Sequence, residues 1–265
     1  MLQNFLISLR SGLRSQGFIA IFILGILAMG GAYLAAQFSA RQPATVAMDT
    51  GLSFIRIVGL LLALFWGYEF LGKEIERRTL FVSLTYPVPR SSFLIGRFTG
   101  IAVLLLLALL VLGLMLDGTV LLAGKSYLQA TPISLGGPFW LTLIYVWLDL
   151  LVVASFGFLV TVFSTSVFLP LGVGLAFAVS ARSLGPALDY LIGDQGNGGE
   201  AQLLPILNVL RWLMPDLSKL DIRYFALYGH QPNEQLLISG AIMAIAYMAI
   251  LLFLAAVFFR NREFN

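Results

Sequence analysis

Six stretches of the chain are almost unbroken in apolar residues, and polar and charged residues collect between them. The runs are Phe18–Ala36, Leu52–Leu71, Ile101–Ala123, Pro138–Phe163, Val167–Ala181 (or to Ile192) and Leu236–Phe259. In the fifth, Arg182, Gly185 and Pro186 read as an interruption. A helix needs about 20 mostly apolar residues to cross a bilayer, so the pattern predicts six membrane-spanning helices. The short alternating strands of a transmembrane β-barrel are absent from the pattern. The predicted fold is all-α, a single polytopic transmembrane domain over residues 1–265, with a cytoplasmic elbow at 72–100 and an outer loop at 182–235.

Three segments outside the runs are predicted to be surface helices. Leu2, Phe5, Leu6, Leu9 and Leu13 recur at helical spacing opposite Arg10 and Arg14, as in an amphipathic helix lying in the headgroup layer. In the outer loop Leu203, Leu207, Leu210, Met214 and Leu217 form a second apolar stripe, which follows the Gly-rich stretch from Gly193 to Gly199. The third is Thr79–Thr85, preceded by Lys73, Glu74, Glu76, Arg77 and Arg78 and stopped by Pro87 and Pro89; Ser91 or Ser92 is placed to cap the next helix. A short apolar helix flanked by charges suits docking of a soluble partner, since the apolar residues fill a groove while the charges fix register. No period of 20–50 residues repeats.

Composition agrees with this picture and removes several chemistries. Of the 265 residues, 59% are hydrophobic and 11% are charged, against about 25% charged in a soluble domain. A soluble enzyme and a disordered chain are therefore excluded. With no cysteine and a single histidine, His230, neither thiolate catalysis nor a Cys- or His-clustered metal site is available in one chain. The amino terminus shows no cleavage pattern of a signal peptide. The formal charge is only +3, so placement matters more than sign. Nine basic residues flank one side (Arg10, Arg14, Lys73, Arg77, Arg78, Arg90, Arg97, Arg260 and Arg262) and six the other (Arg41, Lys125, Arg182, Arg211, Lys219 and Arg223). The positive-inside rule then puts both termini and the 72–100 elbow in the cytoplasm, with 182–235 outside.

Within the elbow, Glu74-Ile-Glu-Arg-Arg-Thr-Leu80, Leu84-Thr-Tyr-Pro-Val-Pro-Arg90 and Gly96-Arg97-Phe98 resemble the coupling-helix region of type-2 ATP-binding-cassette (ABC) transporter permeases. That family reads E-x-E-R/K-G-T-L, then L-L-S/T-x-P-V-S/P-R, then G-K at the start of the third span. The permeases of nitrous-oxide-reductase maturation transporters carry a similar T-Y-P-V-x-R. Arg78 stands where the family has Gly, and Arg97 where it has Lys. The resemblance implies two copies of the chain bound to two cytoplasmic ATPase subunits, in the inner membrane. Glu74, Glu76, Arg77, Thr79, Leu80, Pro87 and Arg90 would then lie at the ATPase contact. ATP and magnesium would be bound by the partner and no cofactor by this chain. The implied function is export, or movement within the membrane, of a cargo that the elbow does not specify; a partner at the outer loop is compatible with its size, and nucleic acid is not expected. A stand-alone channel or secondary transporter and a membrane scaffold are the alternatives from the residues alone.

Other signals carry less. The run from Gly67 to Lys73 nearly spells a phosphate-binding loop, but no Ser or Thr follows the lysine and no strand precedes it. No G-x-S-x-G elbow exists, and Asp216 and Asp221 flank an interfacial segment, so catalysis within this chain is not expected. Charges inside spans are costly unless paired, which makes Arg56, Asp117, Asp149 and Glu69 candidates. Taking the second span from Leu52 puts Arg56 and Asp117 at similar depths near the outer end, where they would form an ion pair. Asp149 falls near the midplane with no basic residue of another span placed to meet it; a cavity wall, a dimer seam or a bond to Tyr145 or Ser155 are its options. Glu69 would brace the elbow. Trp66 and Trp147 are expected in the bundle and Trp140 at the interface.

Overall fold

The structure is a computed structural model that describes residues 9–39, 41–73, 90–125, 133–164, 166, 168–193, 209 and 214–261. Seven α-helices lie among the described residues: α1 (Gln16–Gln37), α2 (Pro43–Gly67), α3 (Arg90–Gly124), α4 (Gly137–Phe163), α5 (Phe168–Gly193), α6 (Arg223–Tyr228) and α7 (Glu234–Asn261). A helical stretch at 9–14 precedes α1, and there is no strand among the described residues. All but α6 are long and apolar enough to cross a membrane. The chain is a multi-pass helical membrane protein.

Local chemistry sets the helix starts. Ser15 caps α1, its hydroxyl accepting from the Phe18 amide at 3.1 Å. Pro43 opens α2 and Pro138 lies in the first turn of α4, where a missing N–H costs nothing. These caps move several ends away from where hydrophobicity placed them. The second helix starts nine residues before Leu52, because Ala44, Ala47 and Met48 are buried and extend the apolar face outward. The third starts at Arg90, so 90–100 belongs to a helix rather than to the elbow, and Ser91 and Ser92 lie inside it. Phe93, Leu94, Phe98 and Ile101 are buried at helical spacing there, and Arg97 lies 5.3 Å from the Phe93 ring centre.

The fifth helix takes the longer of its two expected extents. It runs without a break through Arg182, Gly185 and Pro186 to Gly193, so 182–193 is not part of the outer loop. Pro186 lacks the N–H that would bond the Arg182 carbonyl, yet a single proline in a packed membrane helix is tolerated. Gly185 has a separate reason to be small: a Cβ there would collide with the Asp216 carboxylate. The notch lets the segment after residue 213 come up against α5. That segment then forms a 3-10 turn, Leu217–Leu220, capped by the Asp216 side chain on the Ser218 amide at 3.2 Å, and α6. Gly229, at φ 69°, closes α6 with its amide on the Phe225 carbonyl at 3.0 Å.

At the centre of the bundle are α2 and α4, whose most apolar windows are 61% and 67% buried; those of α1 and α7 are each 17% buried and line the outside. Lipid is as apolar as leucine, so what joins these helices is close packing and hydrogen bonding rather than hydrophobic burial. Leu64 of α2 fits a double notch at Gly157 of α4 and Gly174 of α5, where a Cβ on either glycine would run into its side chain. Phe156 and Phe177 stack at 3.9 Å between α4 and α5. Trp147 Nε1 donates to the Ala102 carbonyl of α3 at 2.9 Å, and Trp66 is fully buried. Trp140 is half-buried near the start of α4.

The elements arrange the chain ends consistently. Phe18 stacks on Trp66 at 5.4 Å and Phe259 on Phe93 at 6.2 Å. The start of α1, the close of α2, the start of α3 and the close of α7 therefore share one end, which is also the end of the 74–89 connection. Of the predicted amino-terminal stripe, Leu9 packs on the core and Leu13 is exposed, while Leu2, Phe5 and Leu6 lie outside the described residues. Leu203, Leu207 and Leu210 of the outer stripe and the coupling segment Thr79–Thr85 also lie outside them.

The glycine notch gives a direct test. Gly157→Val should overpack the Leu64 seat and cost about 1–3 kcal/mol, seen as a lower midpoint for heat unfolding in detergent. Gly118→Ala, whose added methyl meets open space, should leave the midpoint unchanged or slightly higher.

Candidate functional site

Charged residues inside this bundle form a connected ladder. On α2, Asp49, Ser53 and Arg56 follow at four- and three-residue steps and so share one face. Asp149 lies on α4 and Arg182 on α5. Counting 1.5 Å per residue from the helix ends opposite the 74–89 connection, Arg56 is about 20 Å deep, Asp149 about 18 Å and Arg182 about 16 Å. Three separate helices therefore bring their charges to matching depth.

The contacts follow from that. Asp149, with no exposed side-chain surface, accepts from Arg182 Nη2 at 2.8 Å and from its Nε at 3.1 Å, both on Oδ2. Arg56 Nε lies 3.4 Å from the same oxygen. Arg56 Nη1 turns the other way and donates to Asp221 Oδ2 at 2.7 Å. Asp221 is not on a span; it follows the 3-10 turn. Its carboxylate is also gripped by Arg223, through Nε to Oδ1 at 3.0 Å and Nη2 to Oδ2 at 2.8 Å. Arg223 Nη1 then returns to α2, donating to Asp49 Oδ1 and Ser53 Oγ, each at 3.1 Å. Three guanidinium groups and three carboxylates alternate along one path.

Burial of Asp221 would by itself raise its carboxyl. Hydrogen bonds from Arg223, with the charge and hydrogen bond of Arg56, outweigh that and hold it at about 2. The same bond to Asp221 holds the Arg223 guanidinium above its usual range.

The ladder corrects the expected pairing. Arg56 pairs with Asp149 and Asp221, not with Asp117. Because α2 begins at Pro43, Arg56 is some two turns deeper than a start at Leu52 implied, while Asp117 is only about 10 Å from the end of α3. Asp117 is half-buried on α3. Asp149 does meet a basic residue of another span, Arg182, which lies within the longer of the two extents expected for the fifth helix and outside the shorter. The Tyr145 hydroxyl donates to the Leu237 carbonyl at 3.0 Å and that of Ser155 to Val152 at 2.7 Å, so neither serves Asp149. Asp221 and Arg223 had no hydropathy signal, being two charges in a polar stretch.

At the opposite end, α2 continues into a π-turn, Tyr68–Gly72. Glu69 accepts from Lys73 Nζ at 2.8 Å within it, and Phe70 and Leu71 stay buried. A polar pocket of about 530 Å³ opens beside this turn, lined by Ser11, Arg14, Ser15, Glu69 and Lys73 among others. Of the residues expected at a partner contact, Glu74, Glu76, Arg77, Thr79, Leu80 and Pro87 lie outside the described residues, and Arg90 is the first residue of α3. Among the described residues no three metal-ligating side chains come together.

Six membrane-length helices with a ladder of paired charges among them make a polytopic helical membrane domain. Residues 7–264 match the family model described as ABC-2 family transporter protein, and the chain belongs to that family. It is an ABC transporter permease, the membrane component and not the catalytic one. Two relatives, each described as "Probable ABC transporter permease protein NosY", come from Stutzerimonas stutzeri and Pseudomonas aeruginosa. They are 37% and 36% identical to this chain over 111 residues, which is 39% of this chain and 39% of the relative in both cases. The aligned part thus spans about two fifths of the length of those relatives.

Two outcomes test the ladder. Removing a buried charge strands its partners and typically costs about 3–5 kcal/mol, so Asp149→Ala should lower the unfolding midpoint strongly, while Asp117→Ala should cost less than about 1 kcal/mol. For pH, a carboxyl held at about 2 in the fold, against an ordinary 3.8, contributes stability that is full above the ordinary value and lost as pH falls through the folded one. Amide exchange in 217–228, corrected for its intrinsic pH dependence, should stay flat from about pH 8 to 5 and rise only below about pH 4.

Proposed function

We propose that this permease couples ATP binding and hydrolysis by a separate cytoplasmic ATPase to export, or movement within the membrane, of a cargo. The observation that carries the reading is the shared end of the bundle. The start of α1, the π-turn of α2, the start of α3 and the close of α7 meet there, at the end from which the 74–89 connection leaves; that connection holds Glu74, Glu76, Arg77, Thr79, Leu80 and Pro87, with Arg90 at its edge. On this reading that end is cytoplasmic, as its basic residues favour, and the charged, apolar elbow seats the ATPase. ATP and magnesium belong to that partner. Two copies of the chain and two ATPases make the working unit in the cytoplasmic membrane. The relatives described as NosY support the permease role; what they move is not carried over.

The mid-bundle charges favour a second reading, a stand-alone secondary transporter, since several such charges at one depth are typical of ion-coupled carriers. Dependence on ATP separates the two. Affinity purification of the tagged chain from its native membranes should bring down an ABC ATPase in about equal copies. Leu80→Asp, which puts a charge into the apolar sequence of 79–85, should abolish that capture without lowering permease abundance in the membrane. Equal capture by wild type and Leu80→Asp, or transport that persists without ATP, overturns the proposal.

A further inference from the structure

The ladder has an asymmetry in where its charges come from. The spans contribute Arg56 and Arg182 but only one carboxylate at that depth, Asp149, which both guanidinium groups share through Oδ2. The next carboxylate is Asp221, on the described stretch 214–228 between α5 and α7; it bonds Arg56 and is itself held by Arg223 of the same stretch. That segment sits over the bundle end opposite the 74–89 connection, with the Asp216 carboxylate against Gly185 and Leu217, Leu220 and Leu227 buried. Asp221 is also the more accessible of the two carboxylates, its side chain 27% exposed against none for Asp149. Two buried atoms at the junction, Arg56 Nε and Asp149 Oδ1, have no hydrogen-bond partner.

Were this stretch to lift from the bundle end, Asp221 would leave Arg56, together with the Arg223 that holds it. Two cations would then face one carboxylate in a low-dielectric site, a state costing several kcal/mol unless another anion enters. A counter-charge needed only for folding could sit on a span, as Asp149 does. One carried on a removable segment leaves a cationic site each time it lifts.

We infer that Arg56, with Arg182 beside it on the shared Asp149, forms a binding site for an anionic group of the transported molecule, its Arg56 arm occupied in this conformation by the chain's own Asp221. The inference rests on the permease reading and narrows the cargo to anions, such as carboxylates, sulfonates or phosphate esters. Asp221 is then a competitor for the site, and the affinity seen by an outside anion is reduced by the fraction of time Asp221 holds it.

That competition gives a signature that a purely structural carboxylate lacks. Binding is measured with the full-length permease in phosphatidylcholine nanodiscs at fixed ionic strength, without ATP or ATPase. The probes are benzenesulfonate and, at similar size with opposite charge, trimethylphenylammonium. Wild type should bind benzenesulfonate only. Asp221→Asn should bind it at least about tenfold more tightly, Asp221→Glu should stay near wild type, and Arg56→Gln should lose binding. In wild type, benzenesulfonate should also speed amide exchange across 217–228, a readout that needs no variant to fold. Unchanged or weaker binding by folded Asp221→Asn, equal binding of both probes, or no probe-dependent exchange in that segment overturns the inference. Because neither ATP nor a partner is present, these failures leave the ATPase coupling to be judged by its own experiment.

Discussion

A charge in the middle of a bilayer must find its opposite, and much of this bundle is arranged by that requirement. Asp149 is wholly buried and Arg56 nearly so, and neither is tolerable alone at that depth. Pairing them fixes α2 against α4, and the second guanidinium on Asp149 fixes α5 against both. Close packing alone would leave helices in lipid free to rotate, because every apolar face is equally at home there. The shared Oδ2 removes that freedom: one rotation of each helix satisfies it. The Leu64 seat between Gly157 and Gly174, about two turns from the charges on each of the three helices, agrees with the same rotation.

How much of this was legible depends on the range over which each signal acts. Six helices, their order and the distribution of basic residues are properties of local hydrophobicity, so runs of apolar residues sufficed to find them. Helix ends were less visible. Pro43 falls outside the apolar run that starts at Leu52 because polar residues are mixed in after it (Thr45, Asp49, Thr50), although Ala44, Thr45, Ala47 and Met48 are buried. That nine-residue error then propagated: it set Arg56 too shallow and matched it with Asp117.

The ladder was half legible. Arg56 and Asp149 stood out as charges among apolar neighbours, which is a one-dimensional signal. Arg182 was hidden by Gly185 and Pro186, residues that end helices in water but pass in membranes, where neighbouring helices supply what the backbone lacks. Asp221 and Arg223 were hidden for another reason. They lie in a polar segment, and only the folded chain shows that the segment tucks into the bundle end and brings Asp221 to a residue 165 positions earlier. Pairings across that distance have no trace in spacing. The elbow posed the opposite problem, its motif being plain in sequence while residues 74–89 fall outside the described structure.

The two ends of the molecule are joined by one continuous element. From the π-turn at Tyr68–Gly72 to Arg56, α2 is unbroken helix held by its own hydrogen bonds, about 20 Å between an elbow at one end and the ladder toward the other. A π-turn carries an extra residue in its loop and marks a place where a helix can change register, as such turns often do at functional sites. Under the proposed coupling, a push on the elbow is felt first at that turn. Leu64 lies between it and Arg56, in its glycine seat, so a shift of α2 along its axis cannot leave α4 and α5 where they are. Arg56 would then move relative to Asp149 and Asp221 together, and because its Nε and Nη1 face different carboxylates, any such movement favours one partner over the other. The helix that meets the engine is thus also the helix that chooses between the fixed carboxylate and the removable one.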